Sequence, residues 1–172
     1  IVSAGIAWDL KHWARVLGKE PSPQLVEPLT WAIYEMGCRK TGPEYLLALE
    51  AIQLITRKVA RFFTEHHAWL TPTISNPPVP LGSFESRPDD PLWGYRRDWE
   101  NCPFTALCNV TGQPGMSVPL FWNDENLPIG VHFMGRFGDE ATLFRLAAQL
   151  EQARPWTNRH PPVHANISRQ WA

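Results

Sequence analysis

The chain has 172 residues, 44% of them hydrophobic with nine Trp and eight Phe, which is enough apolar surface to build a core and too much for a disordered chain. A net charge of -1, a pI of 6.7 and the lack of any Lys/Arg run remove the electrostatic footprint that nucleic-acid or anionic-membrane binding needs. No apolar run approaches the roughly 18 residues of a membrane span and no signal-peptide pattern is read; three cysteines at 38, 102 and 108, without metal spacing, are expected as free thiols in the cytoplasm.

The chain opens on IVSAGI with no Met, as expected of a sequence that begins inside a larger protein. Ser22 and Pro23 read as an N-cap and first-turn proline, and Val26, Leu29, Ile33 and Met36 follow at helical spacing. The first helix is therefore predicted over 23–36, bent at Pro28 and stopped by Gly37. Thr41 and Pro43 repeat the start signal. Leu49, Ile52, Ile55, Val59, Phe62 and Phe63 then form an apolar stripe over about 22 residues. Burying each of those side chains contributes about 1.5–3 kcal/mol, so the stripe is predicted to pack on a sheet.

A short strand over 68–71 leads into residues 72–101, where Pro72, Pro77, Pro78, Pro80, Pro88 and Pro91 deny hydrogen-bond donors; an irregular loop is predicted there. Residues 116–120 and 129–135 read as short buried strands joined by a turn over 122–126. Asp139 and Glu140 start a last helix that carries Leu143, Leu146, Ala147 and Leu150 on one face and stops near Arg154 and Pro155. The expected organisation is helical over 1–67, strand and proline-rich loop over 68–101, strands and closing helix over 102–156, and a polar tail over 157–172. Strand, strand, helix is an α/β pattern.

The residues that could carry chemistry do not assemble into a catalytic set. None of the seven serines lies in a G-x-S-x-G elbow, and Ser117 sits mid-strand among apolar neighbours. The four lysines, at 11, 19, 40 and 58, fall on polar faces or loops and are not buried bases. Adjacent His66 and His67 point about 100° apart on a helix, and Pro161 and Pro162 prevent a helix that would align His160 with His164. No metal site is expected. His132, in GVHFMG, reads as a satisfied core or rim histidine. Cys38 beside Arg39 and Lys40 is a candidate low-pKa thiol. Cys102 and Cys108, without a paired His, read as wall residues. The sequons Asn109-Val110-Thr111 and Asn166-Ile167-Ser168 are chance matches in a cytoplasmic protein.

Three blocks, in order, carry a resemblance. Residues 69–82, WLTPTISNPPVPLG, are similar to a D-x-L-x-x-P-T strand and proline loop. Residues 104–120, FTALCNVTGQPGMSVPL, are similar to F-T-x-x-x-N-x-T-G-x-P-x-x-S-x-P. Residues 127–156, LPIGVHFMGRFGDEATLFRLAAQLEQARPW, are similar to L-P-x-G-x-Q-x-x-G followed by an acidic helix start and a closing Pro-Trp. Together they resemble the C-terminal part of the amidase signature family. The resemblance implies an α/β domain with a twisted mixed sheet flanked by helices, of which this chain is the C-terminal third. It implies hydrolysis of carboxamide C–N bonds by a Ser nucleophile, a second Ser in a cis peptide and a Lys base, without cofactor. Those residues belong upstream of the matched blocks, so no catalytic residue is assigned in this chain and the chain alone is expected to be inactive.

The resemblance also bears on the substrate. Glutamine-using transamidation subunits of the family carry an Asp where this chain has Cys102, two residues before the Phe of the F-T block. The departure disfavours a charged α-amino substrate. With Pro103, Phe104, Trp93 and Trp99 it suggests an apolar or aromatic-lined acyl pocket. Cys102, Phe104 and Asn109 are the candidate substrate-binding residues, with the Asn109 amide expected to tie the loop to neighbouring strands. RLAAQLEQARPW is reminiscent of bacterial hydrolases of nylon-type cyclic amide oligomers. The expected partners are the upstream amidase segment, in the same or a separate chain, a small-molecule amide and a second copy in a homodimer. Two other readings stand beside this one: a non-catalytic interaction module derived from an amidase tail, and a thiol enzyme using Cys38, Cys102 or Cys108.

Overall fold

A computed structural model describes residues 1–161 and 163; Pro162, His164, the Asn166 sequon and most of the predicted tail lie outside the described residues. The chain begins with α1 (Val2–Leu17), a helix not anticipated from the sequence. Its signal was the 3-4 spacing of Ser3, Ala4, Ala7, Leu10 and Ala14, which form its less exposed side. α1 packs on α2 (Pro28–Cys38). The predicted 23–36 helix is thus corrected: Pro28 has no N–H to donate, so the helix starts at this residue instead of bending there, and Glu27 is its N-cap. Gly37 does not stop it. A Cβ at Gly37 would stand 1.9 Å from the Ser3 carbonyl oxygen and 2.8 Å from the Ala7 Cβ, so this glycine sits inside the helix because α1 crosses there at backbone contact.

α3 (Gly42–Phe62) starts where predicted. Thr41 Oγ1 accepts from the Glu44 N–H at 3.4 Å and the Glu44 carboxylate accepts from the Thr41 N–H at 2.8 Å, a reciprocal cap that satisfies two orphan donors. The predicted packing of its whole stripe is not found. Only the C-terminal end is fully buried: Val59 and Phe63 pack with Met134 and Phe62, whereas Leu49 and Ile52 of the same stripe are half-buried and Ile55 is 41% exposed. His66 and His67 follow this helix rather than lying on it, and His66 stacks on Phe62.

Three strands, β1 (Ala68–Pro72), β2 (Gly115–Trp122) and β3 (Pro128–Gly135), form an antiparallel sheet in the order β1-β3-β2. The α/β class is as expected, and the strands present are all antiparallel. β1 and β2 are the edges; β2 accommodates Pro119, and its register shifts between Pro119 and Phe121. The central strand β3 is buried on both faces. Phe133 joins Val118, Leu120 and Leu143 under α6 (Glu140–Ala153), and Met134 joins Val59 and Phe63 under α3. Asp139 caps α6, accepting from the Thr142 N–H at 3.3 Å.

The proline-rich segment is not wholly irregular. It contains α4 (Trp93–Asn101), and a further helix, α5 (Ala106–Thr111), precedes β2. The Ser75 N–H donates to the Asn101 carbonyl at 2.8 Å, closing the segment on itself. Ionic side chains support it: Arg96 pairs with Asp90, and the Arg87 guanidinium lies 3.3 Å from the centre of the Trp93 ring. Among the described residues, no helix is long and apolar enough to cross a membrane.

Because Phe63 is 1% exposed, Phe63→Ala is expected to destabilise the chain by about 3–5 kcal/mol, measured by urea denaturation. Leu47→Ala, on the open part of α3, is expected to change stability by no more than about 0.5 kcal/mol.

Candidate functional site

The antiparallel register of β1 against β3 pairs Trp69 with Met134 and Thr71 with His132, so four side chains of one parity face the same side of the sheet. On that side stand Ile55 of α3, Trp99 of α4, Pro103 and Phe104 of the connection, and Ala106, Leu107 and Val110 of α5. These residues line a cavity of about 380 Å³. Its wall is almost wholly apolar, with Thr71 and His132 as polar groups and no Asp, Glu, Lys or Arg.

His132 is 6% exposed and both ring nitrogens are engaged. Nδ1 lies 3.0 Å from Thr71 Oγ1 and Nε2 3.7 Å from Cys108 Sγ. The contact requires Gly115, since a Cβ there would stand 2.9 Å from Cys108 Sγ and 3.0 Å from His132 Nε2. Desolvation pushes the His132 pKa below the ordinary imidazole value and pushes the Cys108 thiol up. Both shifts favour the neutral forms, so the pair is thiol and imidazole rather than thiolate and imidazolium. A neutral imidazole has one donor and one acceptor nitrogen, so Thr71 and Cys108 take opposite hydrogen-bonding roles toward it.

Of the three sequence-derived candidates, the structure brings only Phe104 to the cavity. Cys102 caps the end of α4, with Asn101 Nδ2 3.8 Å from its sulfur, and burial followed by the nearby Asp98 charge raises its pKa. Asn109 is exposed on α5, and its side chain makes no hydrogen bond among the described residues; the expected tie to the strands is not formed. Trp99 lines the cavity, while Trp93 lies under Arg87 outside it. The expectation that Cys108 lacks a histidine is overturned: β3 places His132 beside it. Burial nevertheless works against thiolate formation at Cys108, the opposite of what a thiol nucleophile needs. Cys38 is exposed at the end of α2.

The sequence alone does not point to Trp69, Thr71 and Met134 as site residues; His132 is the satisfied buried histidine expected, and the structure adds its partners Thr71 and Cys108. The signal was available as strand parity, since 69 and 71 on one strand and 132 and 134 on the next share a face once the register is known. As for catalytic serines, Ser117 Oγ bonds Thr73 Oγ1 at 2.6 Å, and all four lysines are exposed. Among the described residues no three His, Cys, Asp or Glu side chains gather as metal ligands.

The sign of the pH dependence follows from the neutral pair. The unfolded chain takes up a proton on His132 below about pH 6.5 while the folded chain resists it, so stability is lost as pH falls through this value; thiol ionisation costs stability above about pH 8.5. His132→Gln is expected to flatten the acid limb of the stability curve and Cys108→Ala the alkaline limb, read from urea midpoints across pH.

Residues 3–144 match the family model named Amidase. AmiC of Mycobacterium tuberculosis is 30% identical over 157 residues, covering 90% of this chain and 32% of the relative. The 6-aminohexanoate-cyclic-dimer hydrolase of Paenarthrobacter ureafaciens is 26% identical over 171 residues, covering 95% of this chain and 34% of the relative. A solved structure of 6-aminohexanoate cyclic dimer hydrolase superposes with a TM-score of 0.86 at 25% identity, over 93% of this chain and 34% of that one. The chain thus spans about one third of the length of the relatives it matches. By the extent of the family match, the chain belongs to the amidase family.

Proposed function

We propose that this chain is the C-terminal segment of an amidase that hydrolyses the C–N bond of a small, uncharged amide, and that its cavity receives the apolar acyl portion. The nucleophilic serine, the cis serine and the lysine base lie upstream, in the two thirds of the fold that the relatives possess outside the matched region. The protein works in the cytoplasm, without cofactor. The observation that carries the reading is the cavity itself: Trp69, Trp99 and Phe104 supply aromatic wall, and no charged side chain lines it. The likeness to a hydrolase of 6-aminohexanoate cyclic dimer supports a cyclic or alkyl amide as the substrate class.

Chemically, the division of labour is that of an acyl-binding wall and a separate proton-relay centre. The wall contributes binding energy by removing apolar surface from water, and it holds the scissile carbonyl where the relay and oxyanion donors act. The exposed apolar faces favour this division over a self-sufficient interaction module. Trp8 is 62% exposed, and on α3 Tyr45, Leu46, Leu47 and Leu54 stand in water, a surface of the kind that marks an interface.

The chain alone is expected to release no product from simple carboxamides or from 6-aminohexanoate cyclic dimer, followed by chromatography of products. Adding a polypeptide that supplies the remaining amidase fold is expected to produce hydrolysis. Robust turnover by the 172 residues alone would sink the proposal. In the active assembly, Phe104→Ala is expected to raise KM for an apolar amide by about 10- to 100-fold, the equivalent of losing roughly 1.5–3 kcal/mol of burial, with little change in kcat.

A further inference from the structure

The cavity wall holds an ionisable group that the proposed relay does not use. His132 lines the cavity, and its ring is fixed at both ends, by Thr71 on β1 and by Cys108 on α5. Neither nitrogen is left to bond a ligand. Thr71 also lines the cavity, and a hydroxyl that accepts from Nδ1–H retains its own proton to donate, whereas one that donates to Nδ1 retains lone pairs. The tautomer of His132 therefore sets whether the Thr71 hydroxyl offers the cavity a donor or an acceptor, whereas the Trp69 and Trp99 indoles can only donate. The elements packed around the ring add no further charge: α3 contributes Ile55, α4 contributes Trp99, β2 brings Ser117 and Gly115 opposite, and the Cys108 thiol is the ionisable group in contact.

We propose that the Thr71–His132–Cys108 chain is the specificity element of the cavity: with the ring neutral it presents an apolar wall with one hydroxyl valence and admits a neutral aryl or alkyl amide, and protonation of His132 shuts that ligand out. The inference rests on reading the cavity as the acyl site. The physical basis is desolvation. An apolar ligand that fills the cavity removes the remaining water around the ring, which penalises the imidazolium and leaves the neutral ring untouched. Ligand and proton are then antagonists, and by linkage each weakens the other by the same factor. A cationic ligand of the same shape is excluded at every pH because no carboxylate lines the cavity to pair with it.

The probe pair is benzamide and benzamidine, near-isosteres that differ in charge. The full chain is titrated with each while the two indole N–H signals of Trp69 and Trp99 and the long-range ¹H–¹⁵N signals of His132 are followed by NMR. Benzamide is expected to shift these signals at neutral to mildly alkaline pH, with an apparent Kd that rises about tenfold for each pH unit below the ring's pKa. Saturating benzamide is expected to lower the His132 pKa, a readout that needs no variant. Benzamidine is expected to leave the signals in place, and His132→Gln to bind benzamide with a Kd independent of pH. Benzamide binding that ignores pH in the wild-type chain, or benzamidine binding as well as benzamide, overturns the inference and leaves the acyl cavity standing. No benzamide binding at any pH overturns the cavity reading and the inference with it.

Discussion

Burial of β3 on both faces is the constraint on which the remainder of the structure rests. Phe133 commits one face to α6 and Met134 commits the other to the end of α3, so residues 132–135 are all buried. A strand with period-two side chains cannot slip by one residue without exchanging these two sets, which would place His132 against Leu143 and Phe133 in the cavity. The register against β1 is thereby fixed, and with it the pairing of Thr71 with His132. The site is a consequence of how a short sheet is covered from two sides.

A polar group in such a place is tolerated only if its hydrogen bonds are complete. His132 meets this condition through Thr71 and Cys108, and Gly115 leaves the room for it. The result is a site whose wall is chemically quiet. Thiol and imidazole both stay neutral, and no Asp, Glu, Lys or Arg lines the cavity. Such a wall suits the proposed role, in which it contributes shape and desolvation while proton transfers take place elsewhere, and all four lysines of the chain are exposed.

Local signals in the sequence determine structure where a physical rule acts within a few residues. Thr41 and Pro43 start α3, Asp139 caps α6, and the runs around 118 and 131 are strands. The failures are of two kinds. Pro28 starts α2 rather than bending a longer helix because it has no N–H to donate, and Gly37 continues the helix rather than stopping it because Ser3 and Ala7 of α1 lie against it, a contact that local sequence does not show. The stripe of α3 is legible as a face that wants cover, but hydrophobic periodicity does not show what covers it. For the site, Phe104 and Trp99 were legible as aromatic residues near the F-T block, but Thr71, His132 and Met134 become neighbours only through strand register.

Two kinds of apolar surface therefore coexist in one chain, a core closed around β3 and the open faces of α1 and α3. The proposed role as one wall of a larger amidase depends on that contrast. Amide hydrogen exchange resolved by residue tests it most directly. The account expects amides of β3 to exchange only with global unfolding, and those of the exposed first half of α3 to exchange through local opening with far lower protection. Equal protection along α3 and β3 in the isolated chain would contradict it, because α3 would then be held as firmly as the core without any partner.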